Sequence, residues 1–462
     1  MDWMNKEFIE KILKDGANPT HDQIEEILEK SYRREKLSHL EIARLLNASE
    51  EEQFEKIYEI AGKIKKEIYG RRVVTFAPIY VSDYCVNNCT YCGYRRDNKF
   101  SRKKLSIDNV REEALVLESL GHKRLAFESG EDPVNLPIEY FLDCLKAIYE
   151  SSDIRRINVN IAATTKENYR KLHDAEIGTY ILFQETYHEE TFNEVHPRSL
   201  KGNYQYHLEA FDRAQQAGID DVGGGVLFGL YDYKFEVMGL ILHNDHLEKR
   251  YGVGFHTISV PRLKKAEGMD LDDFPYLVND EEFMHIVAIL RLAVPYGGLI
   301  LSTRETREMR ENLIMRGVSQ ISAGSNTGVG GYKEEKLAKE LGHHKEVPQF
   351  ELSDERTVLE VVEDMIDDDL IPSFCTACYR CGRTGDRFMR LAKSGQIGNV
   401  CEPNALMTLM EFLDDYADER LREKGKKFIM NAIEDIKNPD IRKLAKEKVE
   451  KIDKEGARDL FL

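Results

Sequence analysis

The chain has 462 residues, longer than one average domain and long enough for an α/β barrel with extensions. Its 66 Lys and Arg against 83 Asp and Glu leave a formal net charge of −17, which argues against phosphate-backbone binding as the main activity. No stretch approaches membrane-spanning length, and the start, Met1-Asp2-Trp3-Met4-Asn5-Lys6, lacks the apolar centre of a signal peptide, so a cytoplasmic protein is expected.

Residues 1–71 carry helical periodicity without strand signals, as at Ile24, Ile27 and Leu28 and again at Leu40, Ile42, Leu45 and Leu46. They predict a helical segment packed outside the main domain. From residue 72 short apolar runs alternate with amphipathic helices. Strands are expected at 73–81, 124–128, 156–162, 179–185, 221–228, 255–260, 298–302 and 318–322. Helices are expected near 108–120, 136–150, 166–174, 203–217, 235–250, 280–294 and 305–316. Eight strands with intervening helices predict a (β/α)8 barrel, an α/β fold, over 72–325. A doubly wound open sheet is the alternative, but no Gly-x-Gly-x-x-Gly opens the first helix. Gly223-Gly224-Gly225 fits close backbone approach better than phosphate binding. After Ser322, residues 323–331 read as a flexible or ligand-facing loop, and Pro348 precedes a helix near 354–369 whose Asp367-Asp368-Asp369 end should be exposed. Residues 326–462 then form a helical extension with a charged tail from about 404 to 455.

In a reducing compartment, eight cysteines at short spacings read as metal ligands rather than disulfides. Cys144 stands apart and reads as a buried helix cysteine. Cys85, Cys89 and Cys92 follow the first expected strand, at the C-terminal mouth where barrel enzymes build active sites. Three thiolates can hold a 4Fe–4S cube and leave its fourth iron open to a small molecule. A zinc knuckle would need a fourth ligand nearby, and none is well placed. A second trio, Cys375, Cys378 and Cys401, repeats the logic nearly three hundred residues later. Cys381 adds a fourth thiol there, and spacing alone lets four thiolates close that site as a structural one.

The spacing Cys85-x3-Cys89-x2-Cys92, with Tyr91 before the last cysteine, resembles the signature of radical S-adenosylmethionine enzymes. The resemblance implies a 4Fe–4S cluster whose open iron binds the methionine part of S-adenosylmethionine and yields a 5′-deoxyadenosyl radical. Ser129-Gly130-Glu131 resembles the segment that holds the methionine amino group, with serine replacing its first glycine. Arg198 is then a candidate for the methionine carboxylate, and Gln184 and Glu185 for the ribose. The second trio, with Tyr379-Arg380 and Gly382-Arg383-Thr384-Gly385 around it, resembles the carboxy-terminal motif of the tyrosine lyases of FeFe-hydrogenase maturation, the HydG family. That likeness favours Cys401 as third ligand to a second 4Fe–4S cluster, with Cys381 left over. It also implies an additional iron held by His256, in Gly254-Phe255-His256-Thr257. His256 begins its expected strand whereas the first trio follows the end of another, so the two metal sites are expected at opposite ends of the barrel.

A free amino acid needs a cation for its carboxylate. Arg304, after the seventh expected strand, suits that task, and Ser322 could share it. An ion pair of Arg304 with Glu305 or Glu308 is the bland alternative. The family implies cleavage of the Cα–Cβ bond of L-tyrosine to p-cresol and dehydroglycine, then conversion of the latter to carbon monoxide and cyanide on an Fe(CO)(CN) unit for the hydrogenase. The partners implied are tyrosine, other maturases and an electron donor such as ferredoxin or flavodoxin. The rival readings are a tyrosine lyase supplying dehydroglycine for thiamin thiazole synthesis, and a non-catalytic iron–sulfur carrier.

Overall fold

A computed structural model describes residues 3–341 and 349–462; Pro348 lies outside them. Eight parallel strands close into a barrel: β1 (Arg72–Ser82), β2 (Arg124–Ser129), β3 (Arg156–Asn160), β4 (Tyr180–Ile181), β5 (Val222–Gly225), β6 (Thr257–Ser259), β7 (Gly298–Leu301) and β8 (Gln320–Ser322). Each strand pairs with its sequence neighbours, and β1 closes the ring against both β8 and β2. Such strands are covered on both faces, which is why β1 reads as a near-continuous apolar run rather than an alternating one. The expected ranges ran long at β3 to β6, because the chain leaves the ladder to build the barrel mouth. Glu185, for instance, turns at φ 67° just beyond β4.

Three features differ from expectation. The helix expected at 203–217 breaks at Glu209 into Tyr204–Leu208 and Ala210–Gln216, and a helix at Glu189–Val195 precedes it. The charged tail is three helices, Gly398–Tyr416, Glu419–Glu434 and Pro439–Glu455. A ninth strand, β9 (Ile371–Ser373), pairs in parallel with the start of β1. It tolerates Pro372 because β1 is its sole strand neighbour.

The helices Lys6–Asp15, His21–Tyr32, His39–Leu46 and Glu51–Tyr69 bury Ile24, Ile27, Ile42 and Leu45 in the same core as the barrel strands and their surrounding helices. A second core forms among the three C-terminal helices and β9. Helix Val358–Asp367 joins the two, giving Val361 and Met365 to the first core and Val358, Val362 and Ile366 to the second. Residues four apart fall on one face, which explains how one helix serves both. Asp367-Asp368-Asp369 is exposed, and Cys144 is fully buried in helix Ile138–Ser151. Among the described residues no helix is long and apolar enough to cross a membrane.

One buried ion pair fixes the extension to the barrel. Asp354 accepts from Arg310, both side chains 1% exposed, while Arg310 also donates to the Ser322 carbonyl and Arg356 reaches Asp354 at 2.6 Å. Removing the carboxylate leaves Arg310 charged and unpaired in the interior. Asp354→Ala is therefore expected to lose about 3–5 kcal/mol of stability, read as a lower urea midpoint; a loss under about 1 kcal/mol would show that water reaches the arginine.

Candidate functional site

The first cysteine trio leaves β1 at the C-terminal mouth and borders a cavity of about 240 Å³. The loop is stitched to β2: Gly130 N donates to the Ser82 carbonyl at 3.0 Å and Val86 N to the Glu131 carbonyl at 2.8 Å. A Cβ at Gly130 would run into the Tyr84 carbonyl oxygen and lie 3.2 Å from Cys85 Cβ, so the glycine is what lets strand end and cysteine loop approach. Cys85, Cys89 and Cys92 are free thiols facing one space. Burial pushes all three up, Cys92 to about 11, so each keeps its proton until a cation draws it off. That donor set fits an iron–sulfur cage. Among the described residues no three His, Cys, Asp or Glu side chains gather tightly enough for a single ion.

Around the cage position stand the other candidates. Tyr91 lines the cavity, and its hydroxyl meets His196 Nε2 at 2.7 Å. Burial holds His196 down to about 3, so the ring is neutral; its Nδ1–H donates to the Phe192 carbonyl at 2.7 Å, leaving Nε2 to accept from Tyr91. Ser129 and Glu131 line the cavity, and Glu131 accepts from Asn87 Nδ2 at 2.6 Å. Glu185 also lines it, paired with the half-buried Lys201. Lys201 had no signal in the sequence, yet it lines the cavity and its charge acts on all three thiols. Arg198 does not: its positive φ of 52° turns the side chain outward, 73% exposed, to meet Asp97 at 3.2 Å. Gln184 is also absent from the cavity wall; it is 2% exposed and turned toward the Thr186 carbonyl at 3.5 Å.

Arg304 and Ser322 border the same cavity. Glu305 is taken by Arg262, at 2.9 and 2.6 Å, so it does not neutralise Arg304. Among the described residues Arg304 has no carboxylate within ion-pair range; its guanidinium lies 3.5 Å above the Phe350 ring. Burial pushes Arg304 down, the cost of a desolvated cation awaiting an anion. Ser322 Oγ accepts from Thr303 N at 3.2 Å, which fixes the loop carrying Arg304.

The second trio lies at the other end of the barrel. β9 delivers Cys375 two residues after its last, and Cys401 sits in the first turn of helix Gly398–Tyr416. Cys375, Cys378, Cys401 and His256 share a cavity of about 60 Å³, whose wall does not include Cys381. Cys378 donates to Cys401, which lowers the Cys401 thiol and raises its own. Burial holds His256 down, giving the neutral ring a metal requires; Nδ1 has no hydrogen-bond partner and faces Asp221 at 3.4 Å. Unpartnered buried nitrogens on Arg72, Arg124 and Arg383 border the same space. Three thiols and unmatched cations fit an anionic iron–sulfur cage, and the neutral histidine stands beside it.

The two cavities share strands. Val74 borders the second and Phe76 the first; Arg124 and Ala126, Gly298 and Ile300, and Gln320 and Ser322 divide likewise. Successive inward residues lie about 7 Å apart along a strand, so roughly one layer of side chains separates the spaces.

Comparison with known proteins agrees with this geometry. The profile of the Radical SAM superfamily matches residues 79–240, and that of the Biotin and Thiamin Synthesis associated domain matches 259–371. The 2-iminoacetate synthase of Salmonella typhimurium is 30% identical over 322 residues, 69% of this chain and 82% of that protein. A crystal structure of HydG, a maturase of the FeFe-hydrogenase, superposes with a TM-score of 0.96 at 51% identity over 100% of both chains. HydG from Carboxydothermus hydrogenoformans superposes at 0.83 with 40% identity over 96% of each.

Proposed function

Because this chain belongs to the radical S-adenosylmethionine enzymes, in the HydG family, we propose that it cleaves L-tyrosine to p-cresol and dehydroglycine and makes carbon monoxide and cyanide for FeFe-hydrogenase maturation. The observation that carries this reading is the pair of three-thiol cavities at opposite ends of one barrel, the first holding an arginine with no carboxylate partner among the described residues. When bound at Cys85, Cys89 and Cys92, a reduced 4Fe–4S cluster supplies the electron that splits S-adenosylmethionine to a 5′-deoxyadenosyl radical. Gly130 and Glu131 are assigned to the methionine ammonium, Glu185 to the ribose, and Arg304 with Ser322 to the tyrosine carboxylate. Lys201, beside the thiols, offsets the negative charge they bring. A cluster at Cys375, Cys378 and Cys401, with an additional iron on His256, supplies open metal positions for the second conversion. A barrel interior can exclude water from the imine of dehydroglycine in transit.

Phe350 holds the arginine plane at 3.5 Å. A desolvated cation–π contact is worth about 1–2 kcal/mol, so Phe350→Ala is expected to raise the tyrosine KM about tenfold with little change in kcat. An unchanged KM would show that the ring does not position Arg304.

The kinship to 2-iminoacetate synthase favours a second reading, in which dehydroglycine is the final product. Anaerobic reconstitution with tyrosine, S-adenosylmethionine and dithionite separates them: p-cresol with carbon monoxide and cyanide is expected, and p-cresol alone would favour the second. An electron donor such as ferredoxin or flavodoxin and other maturases complete the proposal, in the cytoplasm.

A further inference from the structure

Three carboxylates border the first cavity: Glu128, Glu131 and Glu185. Glu131 accepts from Asn87, and Glu185 is paired with Lys201. Glu128, on the inward row of β2, receives one hydrogen bond, from Asn160 Nδ2 to Oε2 at 2.8 Å. Among the described residues it has no cation within ion-pair range, and its side chain borders the cavity. Arg304 also borders this cavity, without a carboxylate of its own. An α-amino acid carries one carboxylate and one ammonium on adjacent atoms, which is the charge pattern this wall complements.

We propose that Glu128 is the base that takes a proton from the substrate's α-ammonium, so that the 5′-deoxyadenosyl radical then takes a hydrogen atom from a neutral amine and leaves as 5′-deoxyadenosine. This deepens the tyrosine-lyase reading and rests on it. The N–H bonding pair stays on nitrogen as a lone pair and the proton passes to the Glu128 carboxylate. No oxidant or reductant enters this step. The lone pair matters because it stabilises a nitrogen-centred radical, which an ammonium nitrogen cannot do.

Burial pushes Glu128 up to about 8, against the opposing effects of the Asn160 hydrogen bond and the Arg304 charge. Its charge also acts on Tyr80 and Tyr94, which burial keeps neutral, and the same wall carries Cys92, Glu131, Glu185 and Lys201. A base with that affinity works near neutral pH. It also gives a sign that can be checked. At pH 7 the free carboxyl is mostly protonated, so binding a zwitterionic amino acid must expel close to one proton. Above pH 8 Glu128 is already ionised and the release fades.

The test is titration calorimetry of tyrosine into the reconstituted, S-adenosylmethionine-loaded enzyme, in buffers of different ionisation enthalpy at pH 7 and pH 9, alongside p-cresol rates. Wild type should release nearly one proton at pH 7 and almost none at pH 9. The isosteric Glu128→Gln should release none at either and make p-cresol about 100-fold more slowly at pH 7, recovering as pH rises. Asn160→Ala should move the midpoint of proton release upward, since its amide holds Glu128 down. Wild-type rates and proton counts in Glu128→Gln, or an unmoved midpoint in Asn160→Ala, would overturn the role. Wild type that binds tyrosine yet yields no p-cresol would overturn the lyase reading itself and this role with it.

Discussion

Alanine at Cys378 or Cys401 is expected to leave p-cresol formation within about twofold of wild type while carbon monoxide and cyanide fall by more than about 100-fold. The separation follows from where the two trios sit. Cys378 and Cys401 face a cavity bordered by the first residues of β1, β2, β7 and β8, whereas tyrosine is assigned to the far mouth. Neither substitution touches Arg304, Ser322 or the first trio. Cys381→Ala is the matching control and should change neither product, because its thiol is outside the cavity wall. Gas chromatography for carbon monoxide and a colorimetric cyanide assay, run beside p-cresol quantification, decide it. Undiminished carbon monoxide from both alanine variants would show that the second trio is only structural.

Arg304→Ala should lower kcat/KM for tyrosine by about 10²–10³-fold. Truncating one partner of a buried, hydrogen-bonded charge pair costs about 2–5 kcal/mol, and each 1.4 kcal/mol is tenfold. Arg304→Lys should recover little, since an ammonium cannot reproduce the two-pronged contact or the stacking on Phe350. S-adenosylmethionine binding should persist, because the residues assigned to it, Gly130, Glu131 and Glu185, follow other strands. A tyrosine KM that is unchanged in Arg304→Ala would place the carboxylate elsewhere in the cavity.

Much of this was legible in the sequence, and the exceptions have physical causes. Strand β1 and the helix Lys166–Asp174 announced themselves through apolar runs and helical spacing. The thiol trios needed only chain order and spacing. β9 went unread because three residues containing proline give no strand signal, although that strand is what carries Cys375 into place. Arg198 was read as a candidate and Lys201 not read at all for a similar reason. Both follow β4, and only the backbone turn at Arg198 decides that the arginine meets Asp97 while the lysine enters the cavity. Gln184 and Glu185 are adjacent, so a rule of position could not separate them; the left-handed turn at Glu185 does. Glu128 and Phe350 lie in ordinary strand and loop text, and their meaning comes from facing Arg304.

The claim beneath all of this is that two iron–sulfur cages occupy opposite mouths and only one of them handles S-adenosylmethionine. Electron paramagnetic resonance of the dithionite-reduced, reconstituted enzyme addresses it directly. Two cluster signals are expected: one that shifts when S-adenosylmethionine is added and is lost in Cys89→Ala, and another that ignores it and is lost in Cys378→Ala. A single signal, or two that both respond to S-adenosylmethionine, would refute the division.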